Sequence, residues 1–427
     1  MKILPALVFF SFGMLASTSS ASASSVYLQT GQLLDVQTGE LKANQCVFIQ
    51  DGKIIKVEQC GGTPKGASPL DWSSYTVLPG LIDLHTHLAD AGQSSDLAAP
   101  LKTSPAETAL IGAQNALTTL KAGFTTVRDV GTYRGLTDVA LRNAINAGRV
   151  QGPRMFVAGA YITIPKGGGE LNGVVPNDEL PADMRLGVAR GPEETKARAE
   201  FLFDNGVDFL KLIATGAVLA IGTEPGEPEL TEEEMRAAVN VATARGSYAT
   251  AHAHGAEGIK TAIRAGVRSI EHASLIDEEG LRMAKAEGVW LVMDIFNGDY
   301  INEIGTKEAW PEEYLRKNRE TTYVQRQGFR KAVKMDVKLA FGSDSGVYPH
   351  GMNGRQFSYM VRYGMTPLQV IQAATIEAAR LLSREAEIGN IAEGHYADLI
   401  AVQGNPLDDI RLLENVAQVI KDGAVIK

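Results

Sequence analysis

Residues 81–88 read Leu-Ile-Asp-Leu-His-Thr-His-Leu, a short apolar run that ends in a histidine pair. Alternate residues of a strand face the same side, so His85 and His87 would present two imidazoles together at the end of one strand. Seven further runs of this kind follow, namely FTTVRDVG (124–131), RMFVAGAY (154–161), DFLKLIATG (208–216), YATAHAHG (248–255), RSIEHAS (268–274), VWLVMD (289–294) and VKLAFGSDS (337–345). Stretches of helical length separate them. Some carry start signals, such as Thr231 with Glu234 three residues on as a capping box, and Thr366 before Pro367 at the first helical position. Eight strands alternating with helices predict an α/β protein, a (β/α)8 TIM barrel over residues 81–383. An open doubly wound sheet competes less well, because no strand leads into a phosphate-binding glycine fingerprint.

Outside this region the period changes. Residues 24–80 hold short alternating strands and turn signals, and HYADLIAVQGNP (395–406) and VAQVIKDGAVIK (416–427) repeat that pattern at the other end. Residues 24–80 and 384–427 are therefore expected to build one small discontinuous β-sandwich domain. In VFIQ-DG-KIIKV (47–57) the Asp51-Gly52 turn sets Gln50 opposite Lys53 and Cys46 opposite Val57. Cys60 then lies three residues out of register with Cys46, and only a bulge or bend would let the two cysteines join. Residues 1–23, with Lys2, an apolar run to Ala16 and the close Ala21-Ser22-Ala23, read as a signal peptide. The run is too short for a stable membrane anchor, and the protein is expected to be exported to the periplasm or medium.

With 427 residues, 44% of them hydrophobic and 21% charged, the chain is neither fibrous nor disordered. Its formal charge of −9 comes without a basic block, which argues against a nucleic-acid partner. Connections 163–190 and 296–325 are longer than βα loops usually are, and both leave the strand ends where a barrel places its active site.

Five of the seven histidines fall in these strands: His85 and His87, His252 and His254, and His272. Two His-x-His pairs, a further strand histidine and Asp344 in GSDS form a ligand set for metal, since neutral imidazole binds zinc well. Lys211 stands between Leu210 and Leu212 on a central strand, where a charged ammonium is costly. It is either paired with a buried carboxylate or, with its pKa depressed, able to add carbon dioxide and become a carbamate with two oxygens.

This constellation resembles the amidohydrolase superfamily with a binuclear metal centre, from about Val26 to the C-terminus. VLPGLIDLHTHL, TTVRDVG, AHAHG, IEHAS and FGSDSG are most similar to its metal-dependent carboxypeptidase and prolidase-like branch, which includes ochratoxin A amidohydrolases. The resemblance implies two divalent ions, zinc foremost, with His85 and His87 on the first, carbamylated Lys211 (N6-carboxylysine) bridging, and His252 and His272 on the second. Asp344 would ligate the first metal and act as base, and His254 would contact the substrate. One segment departs from the family, IPKGGGEL (164–171) standing where a Gly-Gly-His-Gly-like segment is expected, so Lys166 or the glycine backbone would replace a substrate-binding histidine. The implied activity is hydrolysis of the amide joining an acyl group to a C-terminal amino acid, ochratoxin A being a fitting substrate, by a homo-oligomer. The rivals are a cyclic-amide hydrolase or imidazolonepropionase and, from another class, a non-catalytic binding scaffold.

Overall fold

The computed structural model describes residues 25–61, 68–92 and 95–427, so the signal peptide expected over 1–23 lies outside the described residues. All eight expected barrel strands form. Leu81–Thr86, Phe124–Asp129 and Arg154–Val157 pair as one parallel sheet. Tyr161–Ile162, Leu210–Ile213, Ala249–Ala253, Ser269–His272, Trp290–Val292 and Leu339–Ala340 make a second. The third expected strand is thus broken in two, each piece serving one sheet. Gly159, at φ 77°, interrupts it with a left-handed residue whose N–H donates to Asp138 Oδ2 at 2.8 Å.

At the other seam the first and eighth strands are joined by backbone bonds. Leu84 N–H donates to Phe341 O at 3.0 Å, Asp344 N–H to His85 O at 2.8 Å and His87 N–H to Ser345 O at 2.9 Å. Buried Asp83 reinforces this seam by accepting from the N–H of His85 (3.1 Å) and of Ser343 (3.0 Å) and from Asn353 Nδ2 (2.8 Å). Gly342 makes the close approach feasible, since a Cβ there would lie 2.2 Å from Val292 Cγ1 and 3.0 Å from His85 Cβ. The architecture is α/β and TIM-barrel-like, with the helices, including the capped ones at Glu232–Ala244 and Pro367–Ala373, set between the strands.

The two chain ends meet in one eight-stranded sheet. This differs from the expected sandwich of two sheets. The long strand Ser68–Pro79 joins the ends edge to edge, pairing in parallel with Ser25–Leu34 on one side and antiparallel with Leu399–Val402 on the other. Leu28, Val47, Trp72, Leu399 and Ile420 form an apolar cluster of their own on this sheet. A bulge between Phe48 and Ile49 shifts the Asp51-Gly52 hairpin by one residue, putting Cys46 opposite Glu58. That brings Cys46 and Cys60 into a disulfide, with Cα atoms 5.0 Å apart.

Connection 296–325 is largely helical, with Asn297–Tyr300, a π turn at Ile301–Gly305 and the helix Glu312–Lys334. The last of these is strongly polar, yet it buries Leu315, Phe329 and Ala332 along one side. Among the described residues no helix is long and apolar enough to cross a membrane.

Candidate metal centre

The strand ends converge on a cleft of about 1010 Å³, its open mouth included. His85 and His87, from the first strand and its end, face the turn that carries Asp344. Asp344 Oδ1 lies 3.3 Å from His85 Nε2 and 3.2 Å from His87 Nε2. Burial works against charge on this carboxyl, but the neighbouring imidazoles hold it below the ordinary carboxylate range. Burial likewise opposes charge on His87, and there Asp344 prevails and raises its pKa to about 9. His85 goes the other way, burial and the Lys211 charge pulling it down to about 4.

Across the cleft, His252 and His254 come from the fifth strand and His272 ends the sixth. Their ring centroids lie 4.6 to 4.8 Å apart. Burial, together with the other imidazoles, pulls His252 and His254 well below the ordinary histidine range, so both are neutral at pH 7. Three side chains fix the ring orientations from behind. His85 Nδ1 meets Glu271 Oε2 at 2.9 Å, His272 Nδ1 meets Asp294 Oδ1 at 2.9 Å, and His254 Nδ1 meets Ser274 Oγ at 2.8 Å. His272 and Asp344 both sit in left-handed backbone, at φ 69° and 56°, a costly conformation for a residue with a Cβ.

Lys211 lies between the two groups. Its side chain is fully buried and its Nζ has no hydrogen-bond partner among the described residues, while burial lowers the amine to about 8. A buried, unpartnered amine beside five imidazoles and a carboxylate fits a metal centre. The ligand atoms of His85, His87 and Asp344 lie within 4.8 Å of one another, as do those of His252, His254 and His272, so each group can hold one ion.

The six residues read as ligands and His254 are thus brought together. Lys166 is not. It sits in a tight turn at φ 64° with its N–H held by Glu170 Oε2 at 2.7 Å, which leaves the side chain exposed and off the cleft wall. Gly168 and Gly169 line the cleft there, and the 296–325 segment supplies Asn297, Ile301 and Thr322.

Several supporting residues escape a strand-by-strand reading. Arg128 and Glu271, both fully buried, form an ion pair at 2.7 Å directly behind His85. Asn297 Nδ2 donates to Asp294 at 2.8 Å and to Asp344 at 3.0 Å, tying the two groups together. The available signal was a charged residue next to the motif in VRDVG and in IEHAS, at positions that alternation turns inward. The two remaining histidines lie apart from the ligand set. His395 bonds Glu385 O at 3.1 Å, and His350 is half-buried beside the backbone of His87.

A barrel-like fold with this ligand set at its strand ends defines a hydrolase of the metal-dependent type, and the chain belongs to the amidohydrolase family, which it matches over residues 76–426. Among relatives it is 29% identical to ochratoxinase from Aspergillus niger, over 97% of this chain and 88% of that one. The crystal structure of the same ochratoxinase superposes with a TM-score of 0.82 at 28% identity, covering 95% of this chain and 96% of that one. A crystal structure of a Xaa-Pro dipeptidase with bound methionine in the active site superposes with a TM-score of 0.88 at 37% identity, covering 94% and 99%. Imidazolonepropionase of Vibrio cholerae is less similar, at 23% identity over 85% of this chain and 88% of the relative. The protein is a hydrolytic enzyme.

Proposed function

We propose that the enzyme cleaves the amide bond between an acyl group and a C-terminal amino acid, as a carboxypeptidase or dipeptidase does, with ochratoxin A among its substrates. The observation that carries this reading is the convergence of two three-residue ligand groups on the buried amine of Lys211 in one cleft. The first ion would be held by His85, His87 and Asp344, the second by His252 and His272, with Lys211 as a carbamate between them. Zinc suits this nitrogen and oxygen set. Bound there, the metals would supply Lewis acidity to the scissile carbonyl and acidify a water at neutral pH.

The chain's own groups do the rest. Asp344 is a carboxylate at neutral pH, oriented by Asn297 Nδ2 at 3.0 Å, and can take a proton from water and pass it to the leaving amine. With the Ser274 hydroxyl donating to Nδ1 of neutral His254, Nε2–H is free to donate to a carbonyl or carboxylate oxygen of the substrate. Ring opening of a cyclic amide is less favoured, given the weaker likeness to imidazolonepropionase.

We read the two sheets at the strand ends as one closed (β/α)8 barrel, the sheet of the chain ends as a small domain, and the enzyme as an exported homo-oligomer. A screen of N-acyl amino acids, dipeptides and ochratoxin A against the metal-loaded protein tests the reading. Release of the amino acid, with the C-terminal amide of the same compound turned over more slowly, is the expected result. Equal rates on acid and amide, or faster opening of a cyclic amide, would overturn it.

A further inference from the structure

We propose that Asp90, with the rings of Tyr133 and Tyr161, forms a subsite for an ammonium group, so that the preferred substrates carry a free amino group on the acyl side. This rests on the amide-hydrolase reading above and adds to it a charge preference.

Asp90 follows the first strand, three residues beyond His87, and its side chain lines the cleft although the residue is only 7% exposed. Its hydrogen bonds come from two backbone groups, the N–H of Ala91 at 2.9 Å and that of Tyr133 at 3.3 Å. Among the described residues no lysine or arginine pairs with it. Among the described residues lining the cleft there is no arginine, and Lys211 is the one lysine, already placed at the metal centre. A buried carboxylate without a cation is unfavourable, and burial accordingly pushes Asp90 above the ordinary carboxylate range, against the pull of His87. The two N–H groups occupy one carboxylate oxygen each, Oδ1 and Oδ2, but as neutral donors they leave the charge unbalanced. The charge therefore points to a cation that arrives from outside.

The surroundings suit an alkylammonium. Tyr133 and Tyr161 stand edge to face with centroids 5.6 Å apart, and both line the cleft beside Asp90. The Tyr161 hydroxyl is held by Gly131 O at 3.1 Å, whereas that of Tyr133 has no hydrogen-bond partner among the described residues. A carboxylate beside aromatic rings is a favourable site for an amine cation. It also answers an electrostatic problem, because divalent cations at the centre would repel an approaching ammonium, and a fixed negative charge three residues from a ligand offsets that repulsion.

The test compares alanyl-phenylalanine with propionyl-phenylalanine, which has hydrogen in place of the amino group, on metal-loaded wild type and Asp90→Asn, with metal content measured on the same samples. The wild type is expected to favour the aminated compound by about tenfold or more in kcat/KM, the scale of one charged hydrogen bond. In Asp90→Asn that ratio should fall towards one, through a raised KM for alanyl-phenylalanine. A purely structural Asp90 would lower both substrates together and keep the ratio, which overturns the proposal, as does a wild-type ratio near one. Should the wild type cleave neither compound, the amide-hydrolase reading fails. Calorimetric binding of the same pair still decides the subsite, since tighter binding of the aminated compound by wild type alone supports it and equal binding overturns it.

Discussion

The two sides of the cleft are built on opposite electrostatic plans. On the side of the first and eighth strands, Asp344 stands between His85 and His87, and the Glu271–Arg128 pair backs His85, so positive and negative groups compensate one another. On the side of the fifth and sixth strands, three imidazoles crowd together at 4.6 to 4.8 Å, and the carboxylate of Asp294 reaches only His272, from behind. The first side would accept a cation by giving up a proton, because His87 is raised to about 9 beside Asp344. On the second side His252 and His254 are already neutral, and His252 offers a lone pair at once. Lys211, its buried Nζ without a hydrogen-bond partner among the described residues, would under the proposed reading join the two into one centre.

The largest effect should therefore come from Lys211→Ala. Elemental analysis should show close to two divalent ions per chain in the wild type and clearly fewer in the variant, with turnover down about a thousandfold. A variant that keeps both its ions and its activity would mean that the two sides need no bridge.

Asp344→Asn comes next, since it preserves shape and an oxygen ligand but cannot accept a proton at neutral pH. Turnover should drop by about a hundredfold or more. Metal analysis of the same sample separates lost ligation from lost proton transfer, and near-normal turnover would remove Asp344 from the role of base.

His254→Ala probes the opposite side with a smaller expected loss, about tenfold to a hundredfold, and with both metals retained. A rise in KM would assign His254 to the substrate carboxylate, a fall in kcat to the carbonyl oxygen. Loss of a metal instead would make His254 a support for the ligands beside it.

The smallest effect lies outside the ligand set, at Glu229, whose two carboxylate oxygens accept Gly168 N–H at 3.0 and 2.9 Å below the cleft wall. Burial raises its pKa to about 7, so the folded state holds a proton that the unfolded chain releases near the ordinary glutamate value of 4.5. Stability should accordingly decline as pH rises from about 4.5 to 7. Glu229→Gln should remove that decline and add about 1 to 3 kcal/mol at pH 8 in denaturant titrations. A parallel pH dependence in both proteins would show that Glu229 is ionised without penalty.

Both sides of the cleft were legible in sequence because strand alternation and His-x-His spacing are local properties. His85 with His87 and His252 with His254 needed only the period of the strand that carries each pair, whereas His272 and Asp344, both in left-handed backbone, were marked by the IEHAS and FGSDSG motifs and the resemblance these carry. What stayed hidden depends on contacts distant in the chain. Glu271 pairs with Arg128 from another strand, and Asn297 links Asp294 to Asp344 across 47 residues. Lys166 was misplaced because a glycine-rich segment does not announce which way its turn points, and here the Glu170 carboxylate turns it outward. The helices of 296–325 were missed because their surface is so polar that the buried side is hard to see without the partner it covers. The cysteine pairing hung on a single bulge that no pattern of residues in the hairpin marks.

The shared sheet of the chain ends imposes an order of events on folding. Residues 76–79 cannot complete their ladder until residues 399–402 exist, so during synthesis an edge of the strand that leads through Gly80 into the first barrel strand waits for almost the whole chain. The seam between the first and eighth strands waits nearly as long, for Phe341 and Ser345. Such contacts of very high sequence separation slow folding and leave sheet edges exposed meanwhile. Assembly of the His85, His87 and Asp344 group is then a late event, available only to a chain whose two ends have already found each other.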